Sequence, residues 1–187
     1  MEEHERQLVV DQLAASRERL LKLVDGLTAE QWTFRPAQGR WSIGECLEHV
    51  IRVETRVLGL IEKKLAGSSR EARQQEASVD DAQIKKGMLD RTVGRNAPES
   101  ARPTGQWADS NELVAEFSKT RQRTTEFAAT IQADLRSYFH AHGALGELDC
   151  YQWLLVLSLH GSRHAQQIEE IKASAGFPGA TASPASA

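Results

Sequence analysis

The sequence predicts an all-α fold: a four-helix bundle with a long, partly ordered connection between its second and third helices. Three observations carry this. Four long segments repeat apolar residues with a helical period. Helix-start signals stand where three of those segments begin, and no segment reads convincingly as a strand. With 187 residues, 40% apolar and 26% charged, the chain suits one globular domain that buries its own core. Four helices with one apolar face each most simply pack as a bundle. The reading places that bundle at residues 1–175 and a disordered tail, rich in Gly, Ser, Ala and Pro, at 176–187.

The first helix runs from residue 4 to about 25, where Leu8, Val9, Leu13, Leu20, Leu21 and Val24 keep the period. Gly26 ends it, and Thr28-Ala-Glu-Gln31 has capping-box spacing for a further short turn. Pro36 and Gly39 mark the next stretch as a loop. The second long helix starts at Ser42-Ile-Gly-Glu45, another capping box, and continues to about Leu65. Ile43, Leu47, Val50, Val57 and Ile61 form its apolar side, and His49 borders that side. From Gly67 to about Ala108 the pattern weakens, apart from a short helix expected over Ser78–Leu89. That span is too long for a plain loop, and it reads as a lid or as a dimer contact.

The third long helix spans about Ser110 to Ile131, with Leu113, Phe117, Thr120, Thr124, Phe127 and Ile131 on one stripe and Asp109 or Ser110 as its cap. The glycines of residues 132–148 predict a bend. Asp149-Cys-Tyr-Gln152 opens the fourth helix as a capping box, and the helix ends near Ser174.

A formal net charge of −3 argues against nonspecific nucleic-acid binding, which needs a basic surface. No apolar run is long enough to span a membrane, and the N-terminus lacks a cationic-then-apolar signal pattern. The two cysteines, Cys46 and Cys150, have no framework spacing and read as free thiols of a reducing, cytoplasmic compartment.

The fourth helix carries the most informative chemistry. His160 and His164 are four residues apart, on the stripe formed by Trp153, Val156, Leu157, Ile168 and Ile171. Such positions lie one above the other, so two imidazoles point together from the face that should meet the core. Either they form hydrogen bonds within the core, or they hold a metal ion; a third ligand would decide. His49, near the middle of the second helix, is the natural third, and three imidazoles would leave coordination positions open. Cys46 reads as core rather than as a ligand. Glu45 reads as a cap, and Trp41, Trp153 and Tyr151 as packing. Arg163 and Gln167 flank the histidines at helical spacing and are candidate substrate-binding residues, against ordinary roles in an ion pair and a buried hydrogen bond. His4, His140 and His142 lie on a charged terminus and in a bend. The pair lacks the Glu of the zinc-protease motif, and no acidic residue stands three before any His, which disfavours a di-iron bundle. Phosphate-loop and nucleophile-elbow patterns are missing from the sequence.

Arg40-Trp-Ser-Ile-Gly-Glu-Cys-Leu-Glu-His49 and the block from His142 through Trp153 and His160-Gly-Ser-Arg-His164 to Ile168 resemble the second- and fourth-helix signatures of the DinB-like (DinB/YfiT) superfamily. The resemblance implies a four-helix bundle, commonly a homodimer, whose divalent ion is held by His49, His160 and His164. Nickel or zinc stands ahead of iron or manganese. It further implies a small-molecule substrate and a metal-dependent enzyme that activates a low-molecular-weight thiol, as an S-transferase does, or water. The alternatives are a non-catalytic metal-binding or stress-response bundle and a structural dimer with an empty histidine cluster.

Overall fold

The computed structural model describes residues 1–67, 76–92 and 97–179. In chain order they form α1 (Glu3–Val24), α2 (Ala29–Thr33), α3 (Ile43–Ala66), α4 (Asp81–Leu89), a 3₁₀ turn at Glu99–Ala101, α5 (Ser110–Thr130), a second 3₁₀ turn at Leu135–Ser137, β1 (Phe139–His142), β2 (Gly146–Asp149) and α6 (Cys150–Lys172). The four long helices are those expected. The capping boxes at Thr28, Ser42 and Asp149 all form. Asp109, not Ser110, starts α5, its Oδ1 accepting the amides of Asn111 at 2.7 Å and Glu112 at 3.1 Å.

Around the bundle, α1 packs on α5 and α6, and α3 packs on the same two helices. Leu20 and Val24, at the end of α1, share one apolar cluster with Ala165, Ile168 and Ile171 near the end of α6. The same cluster takes Ile43, Cys46 and Leu47 from the start of α3, and Leu113 and Phe117 from the start of α5. So α1 and α6 run parallel, α3 and α5 run parallel, and each pair opposes the other. This topology explains the long connection. The chain leaves the 24-residue α3 at one end and must travel back its whole length, about 36 Å, before α5 begins. On the way it lays α4 against α6.

Two expectations are corrected. The bend is a short antiparallel hairpin, with Phe139 opposite Asp149 and His142 opposite Gly146. Its strands are too short to show a period, and partners distant in sequence hold it. Ser78 donates its amide to the Glu147 carbonyl at 2.8 Å and accepts the Glu147 amide on Oγ at 2.9 Å. The Trp153 indole donates to the His140 carbonyl at 3.0 Å. The short helix expected over Ser78–Leu89 starts at Asp81, capped by Asp80. The second correction concerns the tail. Phe177 is buried, its ring edge-on to Phe34 at 5.5 Å, and Gln31 donates to the Pro178 carbonyl at 2.9 Å. Gly176–Gly179 therefore belong to the packed body, and residues 180–187 lie outside the described residues.

The core is in two halves. One apolar cluster gathers Val9, Leu13, Val57, Ile61, Ala128 and the first turns of α6; the other gathers the opposite ends of the same helices. Between them lies a buried polar layer. Arg121 of α5, fully buried, donates Nε and Nη2 to Glu54 of α3 at 2.9 Å, and Nη1 to the Leu13 carbonyl at 2.9 Å and Ser16 Oγ at 2.6 Å on α1. Gly161 completes the layer from α6. A Cβ there would lie 2.9 Å from Arg121 Nη2 and 2.9 Å from Ser16 Oγ.

Candidate metal centre

The three histidines meet beside this layer. α3 and α6 are antiparallel neighbours, so a residue in the second turn of α3 faces one past the middle of α6. The ring centroids of His49 and His160 are 5.0 Å apart, those of His49 and His164 4.7 Å, and those of His160 and His164 4.4 Å. All three side chains are buried. One nitrogen from each lies within 4.8 Å of the other two, and His160 Nε2 and His164 Nε2 are 3.1 Å apart. Two nitrogens bound tetrahedrally at about 2.0–2.1 Å from an ion stand about 3.3 Å apart, so the α6 pair already has that spacing.

Burial is the main force on their proton affinity, and it lowers all three. For His160 and His164 the lowering is strong. His164, His49, Arg121 and Arg163 add to it at His160, and His49, Arg91 and Arg163 add to it at His164. At neutral pH these rings are uncharged and keep a lone pair to give, which is the state a metal ion requires. Cys46, by contrast, lies in the apolar cluster. Burial, seconded by Glu45, pushes its thiol up to about 12, and it stands outside the cluster of candidate ligands.

The surroundings fix the rings. His49 Nδ1 lies 2.7 Å from the Ala101 carbonyl. A carbonyl only accepts, so Nδ1 carries the proton and Nε2 keeps the lone pair. A ligating histidine with its second nitrogen held by a backbone carbonyl is the common arrangement in metal sites. Ala101 is itself held in place. Next to His49, buried Glu48 accepts the Thr104 amide at 2.7 Å, the Thr104 hydroxyl at 2.9 Å and the Gly105 amide at 3.0 Å. Arg56 donates to Ser100 Oγ at 2.7 Å. The far end of the long connection is thus strapped onto α3. His164 Nδ1, fully buried, has no hydrogen-bond partner among the described residues. Gln167 pulls weakly on this ring without a well-formed bond to Nδ1. A buried polar atom left so costs about 1–3 kcal/mol, and the two facing Nε2 atoms compete for one proton. A cation taking lone pairs of these rings removes the second difficulty and fits this donor set.

The indole of Trp41 covers the cluster, 4.7 Å from the His49 ring and 6.4 Å from the His164 ring. It also lines a hollow of about 370 Å³ with Pro36, Ala37, Arg40, Gln167 and Glu170. A larger cavity of about 760 Å³, between Trp32, Trp107 and Glu48, contains none of the three imidazoles in its wall.

Of the other residues singled out from the sequence, Gln167 lines the hollow. Arg163 is buried and donates to the Met88 carbonyl at 3.1 Å and to the Asp90 carbonyl, closing the end of α4. Glu45 fills its capping role and pairs with Arg35 at 2.6 Å. His140 and His142 sit on the hairpin against Trp153, at the far end of α6. The Arg121–Glu54 pair, the Glu48 clamp and the Ala101 carbonyl escaped the sequence reading. The pair itself left a signal, Arg121 standing on the stripe of Phe117, Thr120 and Thr124 and Glu54 on the stripe of Val50, Val57 and Ile61.

Comparisons with known proteins bear on the family and the fold. A family model described as the DinB superfamily matches residues 12–168. An uncharacterized protein of Bacillus subtilis, YuaE, is 23% identical over 147 residues, covering 79% of this chain and 86% of YuaE. A solved structure of YfiT from Bacillus subtilis, described as a probable metal-dependent hydrolase with an unusual four-helix bundle topology, superposes with a TM-score of 0.63 at 13% identity. It covers 92% of this chain and 88% of YfiT.

Proposed function

The chain belongs to the DinB superfamily, and from that premise we propose that His49, His160 and His164 hold one divalent ion and that the protein is a metal-dependent enzyme acting on a small molecule. The observation that carries this reading is the convergence of three buried, neutral imidazoles, one of them oriented by the Ala101 carbonyl. Side chains that merely fill space would not gather three titratable rings between two apolar cores. When bound, such an ion supplies Lewis acidity and lowers the pKa of a water or thiol at an open position toward neutrality.

The chain's own residues do the rest. Trp41 and the strap at Ala101–Gly105 keep bulk water from the rings, which strengthens every electrostatic interaction inside. His49 is held in one tautomer. Among the described residues no carboxylate belongs to the ligand cluster, so a bound ion would keep its full charge. Water is the favoured nucleophile, supported by the description of YfiT as a probable metal-dependent hydrolase. A low-molecular-weight thiol would occupy the same position. The protein's own thiols do not reach that position: Cys46 stands outside the ligand cluster and Cys150 is at the far end of α6.

The test is elemental analysis of protein purified without a histidine tag, followed by assays with metal restored. One stoichiometric divalent ion is expected, lost with His160→Ala. Ester and amide hydrolysis panels and thiol-dependent consumption of monobromobimane then separate the two nucleophiles. Protein that takes up no ion when nickel, zinc, iron and manganese are each offered would end the proposal.

A further inference from the structure

The hollow outside Trp41 has a charge of its own. Its floor is a fixed turn: Pro36 restricts the backbone, Gly39 takes a φ of +75°, and Arg40 donates its amide to the Ala37 carbonyl at 3.1 Å. The turn presents the Arg40 guanidinium to the hollow. The Arg40 side chain has no hydrogen bond or ion pair to any described residue, unlike that of Arg163, whose Nη1 is committed to the carbonyls that end α4. Across the hollow stands Glu170, but Arg91 grips it in two hydrogen bonds, Nε to Oε1 at 2.6 Å and Nη2 to Oε2. That ion pair holds Glu170 below the ordinary carboxylate range. Arg40, Arg91 and Glu170 therefore sum to one positive charge. Trp41 and Ile171 give the hollow apolar walls, and Gln167 supplies an amide. Trp41 also touches the His49 ring, so the hollow adjoins the imidazole cluster through one side chain.

We propose that this hollow seats the anionic end of the substrate, that Arg40 binds it, and that the substrate class is a small carboxylate with an apolar body. This rests on the metal-centre reading above for the chemistry, though not for the seat itself. A planar guanidinium donates to both oxygens of a carboxylate. The apolar body lies along Trp41, which sets the distance between the anchored end and the imidazoles. Selection is by charge: a neutral isostere forfeits the charge-assisted pair.

Calorimetric titration of zinc-loaded and metal-free protein with benzoate, and with benzamide as its neutral counterpart, tests this. Benzoate should bind both forms and benzamide about tenfold more weakly, the range expected for one charge-assisted hydrogen-bonded pair. Arg40→Gln should lose about tenfold toward benzoate, and Arg40→Lys should recover part of it. Zinc content should be unchanged in both variants, since Arg40 touches no imidazole. Equal benzoate affinity in Arg40→Gln and the wild type overturns the proposal, as does zinc-loaded protein that ignores benzoate. Should zinc fail to bind, the metal-centre reading falls. The metal-free titration then decides the seat alone: Arg40-dependent binding sustains it, and its absence ends it.

Discussion

Stripped of metal, the protein should lose stability as the pH falls through the histidine range. The cause is the lowered proton affinity of His160 and His164, and to a lesser degree His49, in the fold. The unfolded chain binds protons at these rings below about pH 6.5, whereas the folded chain does not until a lower pH. Between those limits the unfolded state holds more protons, so acid favours unfolding. Each ring that stays neutral contributes about 1.4 kcal/mol per pH unit. Because the unfolded rings are only half protonated at pH 6.5, His160 and His164 together should remove about 2 kcal/mol between pH 6.5 and 5.5, a sizeable part of the roughly 5–15 kcal/mol typical of a domain. The ion-paired carboxylates Asp81 and Glu170 are lowered from 3.8 and 4.5, so their loss falls below this window. Asp149, raised by burial, pulls the other way at the acid end. Urea unfolding followed by circular dichroism, in chelator at pH 7.5, 6.5 and 5.5, measures the slope. The His160→Leu, His164→Leu double variant should flatten it whatever its absolute stability. A wild-type midpoint that does not move between pH 7.5 and 5.5 would refute the reasoning, and so would an equal slope in the double variant.

Arg121→Met should cost about 3–5 kcal/mol, because Glu54 is left buried and unpaired. The double variant with Glu54→Leu should recover most of that in thermal melts, and a loss as large as in the single variant would show that the pair is not the cause. Gly161→Ala should destabilise by about 1–3 kcal/mol despite alanine's better helix propensity, since its Cβ would stand 2.9 Å from both Arg121 Nη2 and Ser16 Oγ. A higher melting temperature would refute that close approach. Glu48→Ala releases the strap from three hydrogen bonds and loosens the carbonyl that orients His49. Zinc affinity by chelator competition should fall about 10–100-fold with helix content unchanged, and unchanged affinity would remove the strap from the site.

Sequence and structure agree where the physics is local. Helices declare themselves through a period and a cap, and Ser42 and Asp149 do in space what their spacing implies. The α6 histidines were legible because two imidazoles on one apolar stripe have few uses. The rest needed contacts between distant residues. Ser78 belongs to the hairpin only because Glu147 arrives beside it. Phe177 looks like tail until Phe34 gives it somewhere to be buried. Arg163 presents a charge in sequence, yet its surroundings turn that charge onto the carbonyls of Met88 and Asp90. Arg40 lies in a loop that carries no period at all, and only the hollow beside Trp41 suggests a use for its charge.

Parallel α3 and α5 oblige the chain to run back along the bundle, so a crossover of this length is a requirement of topology before it is anything else. Its return path then passes the imidazoles twice. On the first pass it ends α4 against Arg163, directly before His164. On the second it gives the Ala101 carbonyl to His49 and is fastened by the neighbouring Glu48. Each helix that carries candidate ligands thus has, beside a ligand, a charged residue whose partner is crossover backbone. Such an arrangement ties the orientation of the rings to the seating of the crossover. Lengthening the crossover between its two fastenings should be tolerated, because loop entropy grows slowly with length. Cutting either fastening should not be, because the orientation of a histidine goes with it.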